Sequence, residues 1–161
     1  MSSFNIVDLI TNNPITKLSE THNNNLLNKV KNTFNESEQQ LFIASFYSYL
    51  NYHKTDDYIV DLDNIWQWLG FSQKIKAKEL LEKNFILNKD YKKPLYLEVK
   101  QKKNGGHNIQ KYYLNVKTFK SLCLKAGTKK ADEIHEYYIK LEELIQEVLE
   151  EEAIEMKNKL L

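Results

Sequence analysis

The sequence predicts an α+β fold in which helices dominate. Only four of the 161 residues are glycine and two are proline, so breaks in regular structure are few. Hydrophobic residues make up 42% and aromatic residues 12%, which is enough for a buried core in a chain of this length. Most apolar residues recur at helical spacing, and only short segments alternate as strands do. We therefore expect helices around a small sheet.

The N-terminal part, residues 1–56, is predicted to be helical and structural. An apolar cluster over residues 4–11 ends before Pro14, which disfavours helix in the residue ahead of it. A short helix follows, and the residues with helical spacing are Leu26, Leu27, Val30 and Phe34. A stronger helix is predicted from Ser37 to about Tyr52. Its broad apolar face comprises Leu41, Phe42, Phe46, Tyr49 and Leu50.

A strand and two short helices are predicted next. Residues 57–62 are rich in side chains that suit a pleated, half-buried surface, which favours a strand. Asp61 or Asp63 then caps a helix that ends at Gly70. The second helix spans residues 72–83, with Ser72 as its cap and its lysines directed outwards. Two short helices joined by a glycine-containing turn are typical of a helix-turn-helix, although ordinary helix corners share the pattern.

A β-hairpin is predicted after the helix pair. Residues 91–99 and 109–116 each alternate apolar and polar side chains, as half-buried strands do. Gly105 and Gly106 lie between them and mark a tight turn surrounded by lysines. A helix-turn-helix followed by a basic hairpin is a winged helix-turn-helix arrangement. Residues 57–130 are therefore predicted to form a winged helix-turn-helix-like core with the hairpin as its wing.

Two further helices are predicted at the C-terminal end. Thr118 caps the first, which Gly127 closes, and Thr128 caps the second. The second is a long acidic helix over residues 131–161, and a seam with spacings of four and three is formed by Ile134, Tyr138, Leu141, Ile145 and Val148. This seam is shorter than the roughly three to four heptads typical of a coiled coil. Two interpretations stay open, namely packing of its first half on the core and formation of a homodimer.

The charge of the chain is unevenly distributed. All 23 basic residues are lysine, and the net charge is only +1. Residues 1–69 carry a net charge of −4, residues 70–130 carry +12 and residues 131–161 carry −7. A block of +12 within 61 residues is more than a solvated surface requires, so it indicates an anionic partner.

The basic block and the helix-turn-helix pattern together point to duplex DNA. Lysines neutralise phosphates and release counterions, whereas base edges carry the sequence information. The side chains expected to contact DNA from the second helix are Gln73, Lys74, Lys76 and Lys78. Those expected from the hairpin are Lys100, Lys102, Lys103, Asn104, His107 and Asn108. Because arginine, the commonest guanine contact, is missing, we expect weak specificity with a preference for A·T-rich duplex.

Several motifs resemble a domain family of large DNA viruses. They are YIVDLDNIWQWLGFS at residues 58–72, LLEKNF at 80–85, DYK at 90–92, GGHN at 105–108, TFK at 118–120 and CLKAGTKKADEIHEYYIKLE at 123–142. They resemble the MSV-type N-terminal domain of poxviruses, iridoviruses and mimivirus-like viruses, which is similar to Bro-N, KilA-N and phage antirepressor domains. The likeness covers about residues 4–150.

The resemblance implies an α+β DNA-binding module without a catalytic set of residues. We therefore predict a non-catalytic viral protein that binds double-stranded DNA, acts in transcription regulation and works inside the infected cell, in the host cytoplasm or the viral factory. One alternative is an antirepressor-like protein–protein interaction module, in which the acidic helix binds a basic partner. Another is the N-terminal targeting domain of a nuclease-type protein.

The sequence indicates no catalytic, metal or cofactor site. The histidines are scattered at positions without metal-ligand spacing. Cys123 lies on an apolar helix face, which is typical of a packed core thiol, and Asp61 and Asp63 resemble helix caps. The first residues lack the layout of a signal peptide, and no apolar run approaches the roughly 18–20 residues of a membrane span. We expect a soluble, intracellular protein that is not an enzyme.

Overall fold

A computed structural model describes residues 14–94 and 110–160 of the chain. The elements in chain order are α1 (Glu20–Thr33), α2 (Ser37–Tyr49), β1 (Val60–Asp61), α3 (Leu62–Ile65), α4 (Lys74–Asn84), β2 (Tyr91–Lys92), β3 (Tyr113–Leu114), α5 (Val116–Ala126) and α6 (Lys129–Lys159). The predicted class, α+β and mostly helical, is confirmed.

The chain divides into two compact units. We call residues 14–51 and 136–160 the terminal unit, because it joins the two ends of the described chain. We call residues 52–94 and 110–135 the central unit. The last helix, α6, contributes its first turns to the central unit and the remainder to the terminal unit.

Aromatic side chains form the core of the terminal unit. Phe46 of α2 is fully buried, and its ring meets the ring of Tyr138 edge-on with centroids 5.4 Å apart. Tyr137 packs against Phe42 at 6.2 Å and against Phe34 at 6.3 Å. Such pairs add to the stabilisation that burial of large rings already provides. Tyr138, a member of the predicted apolar seam, is buried, and Tyr137 is half-buried.

Both helices predicted for the N-terminal part are present, with corrected bounds. Ser19 caps α1 by accepting a hydrogen bond from the His22 N–H, so this helix begins well before the apolar pattern that revealed it. The second helix begins at Ser37 as predicted but ends at Tyr49. Leu41 was expected on its apolar face and is instead 52% exposed. At 100° per residue Leu41 lies about 140° from Phe46, which is the opposite side of the helix.

Polar contacts also join α1 to the C-terminal half of α6 within the terminal unit. The Ser19 N–H donates to Glu152 Oε1 at 2.9 Å. The buried ring of His22 lies beside two carboxylates, with Nδ1 3.4 Å from Glu152 Oε1 and Nε2 3.0 Å from Glu155 Oε2. Lys29 adds an outer ion pair with Glu151 at 3.5 Å. These contacts fix the start of α1 against α6.

The sheet of the central unit has the strand order β1–β3–β2, and both pairings are antiparallel. Val60 and Tyr91 each pair with Leu114, so the middle strand joins residues from three distant parts of the sequence. Each strand contains two residues, fewer than predicted. Val116, expected in the last strand, begins α5 instead. Residues 95–99 and 109 of the predicted strands lie outside the described residues.

Two of the predicted helix caps are wrong. Asn115 caps α5, because its side chain accepts a hydrogen bond from the Thr118 N–H at 2.8 Å, whereas Thr118 is buried inside the helix. The amide of Asn115 also donates to the carbonyl of Thr55 at 3.1 Å, which ties a distant loop to this helix. Ser72 does not cap α4, because this helix starts at Lys74 and has no side-chain cap.

The seam of α6 is occupied by contacts within the chain. Ile134, Tyr138, Leu141 and Val148 are buried, while Ile145 is half-buried and Leu144 takes the adjacent buried position. The expectation that the first half of this helix packs on a core is confirmed, and the homodimer stays a prediction. Among residues 14–94 and 110–160, no helix combines the length and the apolar character needed to cross a bilayer.

Candidate nucleic-acid interface

The turn between α3 and α4 depends on Gly70. Its φ of +85° lies in the left-handed region, which side chains other than glycine rarely adopt. A Cβ atom at this position would also lie 3.0 Å from Thr128 Oγ1, which is tighter than most Cβ contacts in proteins. The predicted break at Gly70 is therefore confirmed; the backbone conformation strongly favours glycine, and the nearby Thr128 side chain adds to this preference.

Thr128 locks this turn from the other side. Its hydroxyl donates a hydrogen bond to the carbonyl of Leu69. The same hydroxyl accepts a hydrogen bond from the Ala131 N–H at 3.0 Å. The predicted cap of the last helix is thus confirmed, because Ala131 is in the first turn of α6. The same hydroxyl therefore ties the carbonyl of Leu69, at the end of the α3 turn, to the first turn of α6.

One face of α4 is buried and the other is open. Ala77 and Leu81 have no exposed surface, and this face packs on α5. Gln73 and Lys76, two of the predicted DNA contacts, are exposed. Ile75 was expected to pack and is instead 51% exposed on the open side. The helix therefore presents an amide, an ammonium group and an apolar side chain near its N-terminal end.

Lys74 is held in a cluster of charges rather than directed to solvent as predicted. Its ammonium group forms an ion pair with Asp63 and donates to the carbonyl of Gln110 at 3.0 Å. Lys111 lies on the other side, 2.8 Å from Asp63 Oδ2 and 3.2 Å from Asp61 Oδ2. Two carboxylates thus neutralise two lysines, and together they join α3, α4 and the residues just ahead of β3.

The protonation of this cluster follows from its geometry. Partial burial alone would raise the pKa of Asp63, but the hydrogen bonds from Lys111 and Lys74 outweigh it and lower the pKa below its usual value. The hydrogen bonds to Asp63 and Asp61 raise the pKa of Lys111. Asp63 and Lys111 are therefore both charged at neutral pH, and each stabilises the charge of the other.

Other lysines of the basic block rest on tyrosine rings. Lys78, a predicted DNA contact, is half-buried with its ammonium group 6.0 Å from the centre of the Tyr112 ring. Lys93 lies 5.5 Å from the same ring and 3.9 Å from Glu82 Oε2. Lys92 lies 4.5 Å from the Tyr58 ring. Such cation–π contacts stabilise the central unit, so part of the basic charge serves its fold.

The predicted wing tip lies outside the described residues. The six residues concerned are Lys100, Lys102, Lys103, Asn104, His107 and Asn108. The structure does show the two strands on either side of this segment, because β2 and β3 pair antiparallel with Lys92 opposite Tyr113. The chain that leaves β2 therefore returns beside it.

The charged cluster around Asp63 was missed by the sequence interpretation. Asp61 and Asp63 were both considered as caps, and Asp61 does accept from the Asp63 N–H at 2.9 Å. Nothing in local spacing links Asp63 to Lys111, because 47 positions separate them along the chain. The only indication of this cluster in the sequence was that two acidic residues, Asp61 and Asp63, lie just before a strongly basic segment.

The single cysteine is an unreactive core residue, and the described residues contain no metal-binding group. Cys123 is fully buried as expected, and burial raises the pKa of its thiol to about 12, so it stays protonated. No group of three His, Cys, Asp or Glu side chains is arranged to hold a metal ion within residues 14–94 and 110–160.

Comparison with known proteins identifies no relative of this chain. No protein-family model matches the chain, and neither a curated protein nor a solved structure matches it.

Proposed function

We propose that this chain is a non-catalytic protein that binds double-stranded DNA through its central unit, with α4 as the helix that enters the major groove. The observation that carries the proposal is the locked α3–α4 turn, with one face of α4 buried and Gln73 and Lys76 on the other. A helix fixed in this way keeps its exposed side chains in a constant position against a groove.

The sheet supports a winged helix-turn-helix as the finer fold class. β1 precedes the helix pair and pairs with β3, the strand on the far side of the predicted wing. This pairing anchors the base of the hairpin beside the helix pair, as a wing that contacts the same duplex requires. The Lys74–Asp63–Lys111 cluster strengthens that anchor, because it joins α4 to the residues ahead of β3.

The roles of the predicted contacts differ in this proposal. Gln73 is suited to read adenine, because an amide both donates to and accepts from this base in the major groove. Lys76 and the lysines of the predicted wing tip neutralise phosphates, a contribution that depends on salt and not on sequence. Lys74 and Lys78 act mainly through the fold, since each is already held by contacts within the chain.

A fluorescence anisotropy titration tests the proposal. The full chain is titrated into labelled 20-base-pair duplexes, one rich in A·T and one rich in G·C, at two or more salt concentrations. We expect affinity that falls steeply with salt, by about 0.9 in the log–log slope for each phosphate contact, and tighter binding of the A·T-rich duplex. Absence of salt-dependent binding to either duplex would overturn the proposal.

A pair of single variants locates the contact. Lys76→Gln should weaken binding and reduce the salt slope by about 0.9, because one phosphate contact is lost. Lys31→Gln is the matched control, since Lys31 is also an exposed helical lysine but belongs to the acidic terminal unit. Equal losses in the two variants would show that net charge alone, rather than α4, determines binding.

A protein–protein interaction module is the second candidate, and the end of α6 favours it. Ile154 and Met156 are 61% and 60% exposed within a strongly acidic helix, a combination that suits a basic, partly apolar partner. An antirepressor-like protein would use this acidic helix to sequester a regulator, and the two apolar side chains, about 160° apart around the helix, would contact the partner separately. Replacement of Ile154 and Met156 by Ser would then abolish partner binding, whereas duplex binding by the central unit would be unchanged.

A further inference from the structure

A basic cavity of about 290 Å³ lies in the central unit, on the side of α5. The side chains that line it include Lys54, Lys117, Lys120, Ser121, Leu124 and His135. None of these residues belongs to the α4 surface or to the predicted wing. The residues around the cavity therefore include three lysines, a histidine and a serine, and none of those that line it is an aspartate or a glutamate.

The backbone holds two of these lysines together although they are far apart in sequence. The Lys117 N–H donates to the carbonyl of Lys54 at 3.1 Å. Asn115 reinforces this contact, because its side chain donates to the carbonyl of Thr55 at 3.1 Å. The loop that carries Lys54 is thus fastened to the first turn of α5, and the cationic groups keep their spacing.

The positions along α5 bring the remaining groups to one side. Lys120, Ser121 and Leu124 follow Lys117 by three, four and seven residues, the spacing of one helical face. The first N–H groups of this helix are already used, since the Thr118 N–H bonds Asn115 and the Lys117 N–H bonds Lys54. An anion in the cavity would therefore be bound by side chains.

We propose that this cavity binds a phosphate group, and that in the DNA complex this is a phosphate of the duplex backbone. The proposal rests on the proposed function for the source of the phosphate, but its chemistry depends only on the cavity. Three lysines that border a small volume can extend ammonium donors to a tetrahedral dianion or diester, and Ser121 can supply a neutral donor. Leu124 is 61% exposed at the rim and offers an apolar surface to the attached sugar.

The test uses a double variant in the full chain, Lys117→Gln with Lys120→Gln. Its matched control is Lys31→Gln with Lys157→Gln, which removes the same charge from exposed helical positions of the terminal unit. Thermal unfolding of both variants verifies that the fold is kept. The first measurement is the salt slope for duplex binding, and the second is an amide NMR titration with inorganic phosphate.

If the cavity holds a backbone phosphate, the salt slope of the Lys117/Lys120 variant falls by about 0.9 to 1.8 relative to the control. Inorganic phosphate then shifts the amide signals of Lys117, Lys120 and Ser121 in the wild type but not in the variant. Phosphate shifts without any change in the salt slope would assign the cavity to a free phosphate or phosphomonoester. The cavity proposal is overturned if neither the slope nor the amide signals respond.

These outcomes keep the two proposals separate. Failure of the wild type to bind any duplex would remove the proposed function, and phosphate shifts at α5 would still support the cavity. Normal duplex binding with an unchanged slope and no phosphate shifts would remove the cavity and leave α4 as the contact surface.

Discussion

The two units of the chain differ in net charge and in the contacts that hold them. Residues 52–135 contain 17 lysines and 10 acidic residues, a net charge of +7, whereas the remainder contains 6 lysines and 12 acidic residues, a net charge of −6. The core of the terminal unit includes the packed rings of Phe46 and Tyr138. The central unit also has a buried apolar core, and polar contacts of Thr128, Asn115 and Asp63 connect its elements.

This difference shows where the chain can carry an excess of positive charge. Lysines repel each other, and the central unit reduces this repulsion with the Asp63 cluster and with the rings of Tyr58 and Tyr112. Lysines such as Lys76 stay exposed on its surface, and the proposed function assigns them to an anionic partner. The comparison leads to five predictions, of which the first concerns the apolar core and the others concern polar contacts.

Phe46→Ala should have the largest effect on stability. Removal of a fully buried ring leaves a cavity, and we expect the free energy of unfolding to fall by about 3–5 kcal/mol in urea denaturation. Leu41→Ala is the matched control on the same helix, because Leu41 is 52% exposed and should change stability by less than about 0.5 kcal/mol. Similar losses in both variants would contradict the orientation of α2.

Thr128→Val should destabilise the central unit by about 1–3 kcal/mol, since it removes the cap of α6 and the hydrogen bond to Leu69. Thr128→Ser keeps the hydroxyl and should retain most of the stability. Urea denaturation measures both. A valine variant as stable as the serine variant would show that the hydroxyl does not secure the turn.

Asp63→Asn should lower stability by about 1–2 kcal/mol, because two lysines lose a charged partner. Duplex affinity should also fall, although the variant is more positive, since the base of the predicted wing loses its anchor to α4. Asp56→Asn, at an exposed carboxyl of the same unit, should raise affinity slightly through charge alone. A rise in affinity for both variants would show that the cluster does not position the interface.

The same cluster predicts a pH dependence. The folded pKa of Asp63 is lower than the unfolded value, so its contribution is fully present above the unfolded pKa and is lost as pH falls through the folded pKa. The stability difference between wild type and Asp63→Asn should therefore be constant near neutral pH and disappear in acid. Denaturation curves at a series of pH values measure this difference.

Glu152→Gln should have the smallest effect, confined to the start of α1. Hydrogen bonds from Ser19 lower the pKa of the half-buried Glu152 carboxyl, so its contact is intact above the usual glutamate range and is lost as pH falls through the lowered pKa. Hydrogen exchange at the Ser19 amide should become faster in the variant. Unchanged exchange at Ser19 would mean that His22 alone holds this end of the helix.

Sequence patterns predicted the features that depend on neighbouring residues. Gly70, Gly127 and Thr128 were identified correctly because a helix end needs a particular residue type at a particular position. The choice of Thr118 over Asn115 failed, because both are acceptable caps and the decision came from the distant carbonyl of Thr55. Local propensity contains no information about such a partner.

The candidate site was less predictable than the fold for the same reason. Lys74, Lys76 and Lys78 are alike in sequence, yet only Lys76 is exposed. Asp63 holds Lys74 in an ion pair, and the ammonium group of Lys78 lies over the Tyr112 ring. Both partners reach α4 through tertiary structure, so periodicity placed the helix but not the roles of its lysines.

The pairing of Lys92 with Tyr113 makes residues 95–109, which lie between the contacts of Lys93 and those of Lys111, an exchangeable module. Paired residues in antiparallel strands lie about 5 Å apart, so any connection between them leaves and returns at one place. The entropy of closing a loop changes slowly with length, and reducing roughly 15 residues to about five alters it by only about 1 kcal/mol. Segments with other charges could thus replace these residues between β2 and β3 without redesign of the rest of the chain.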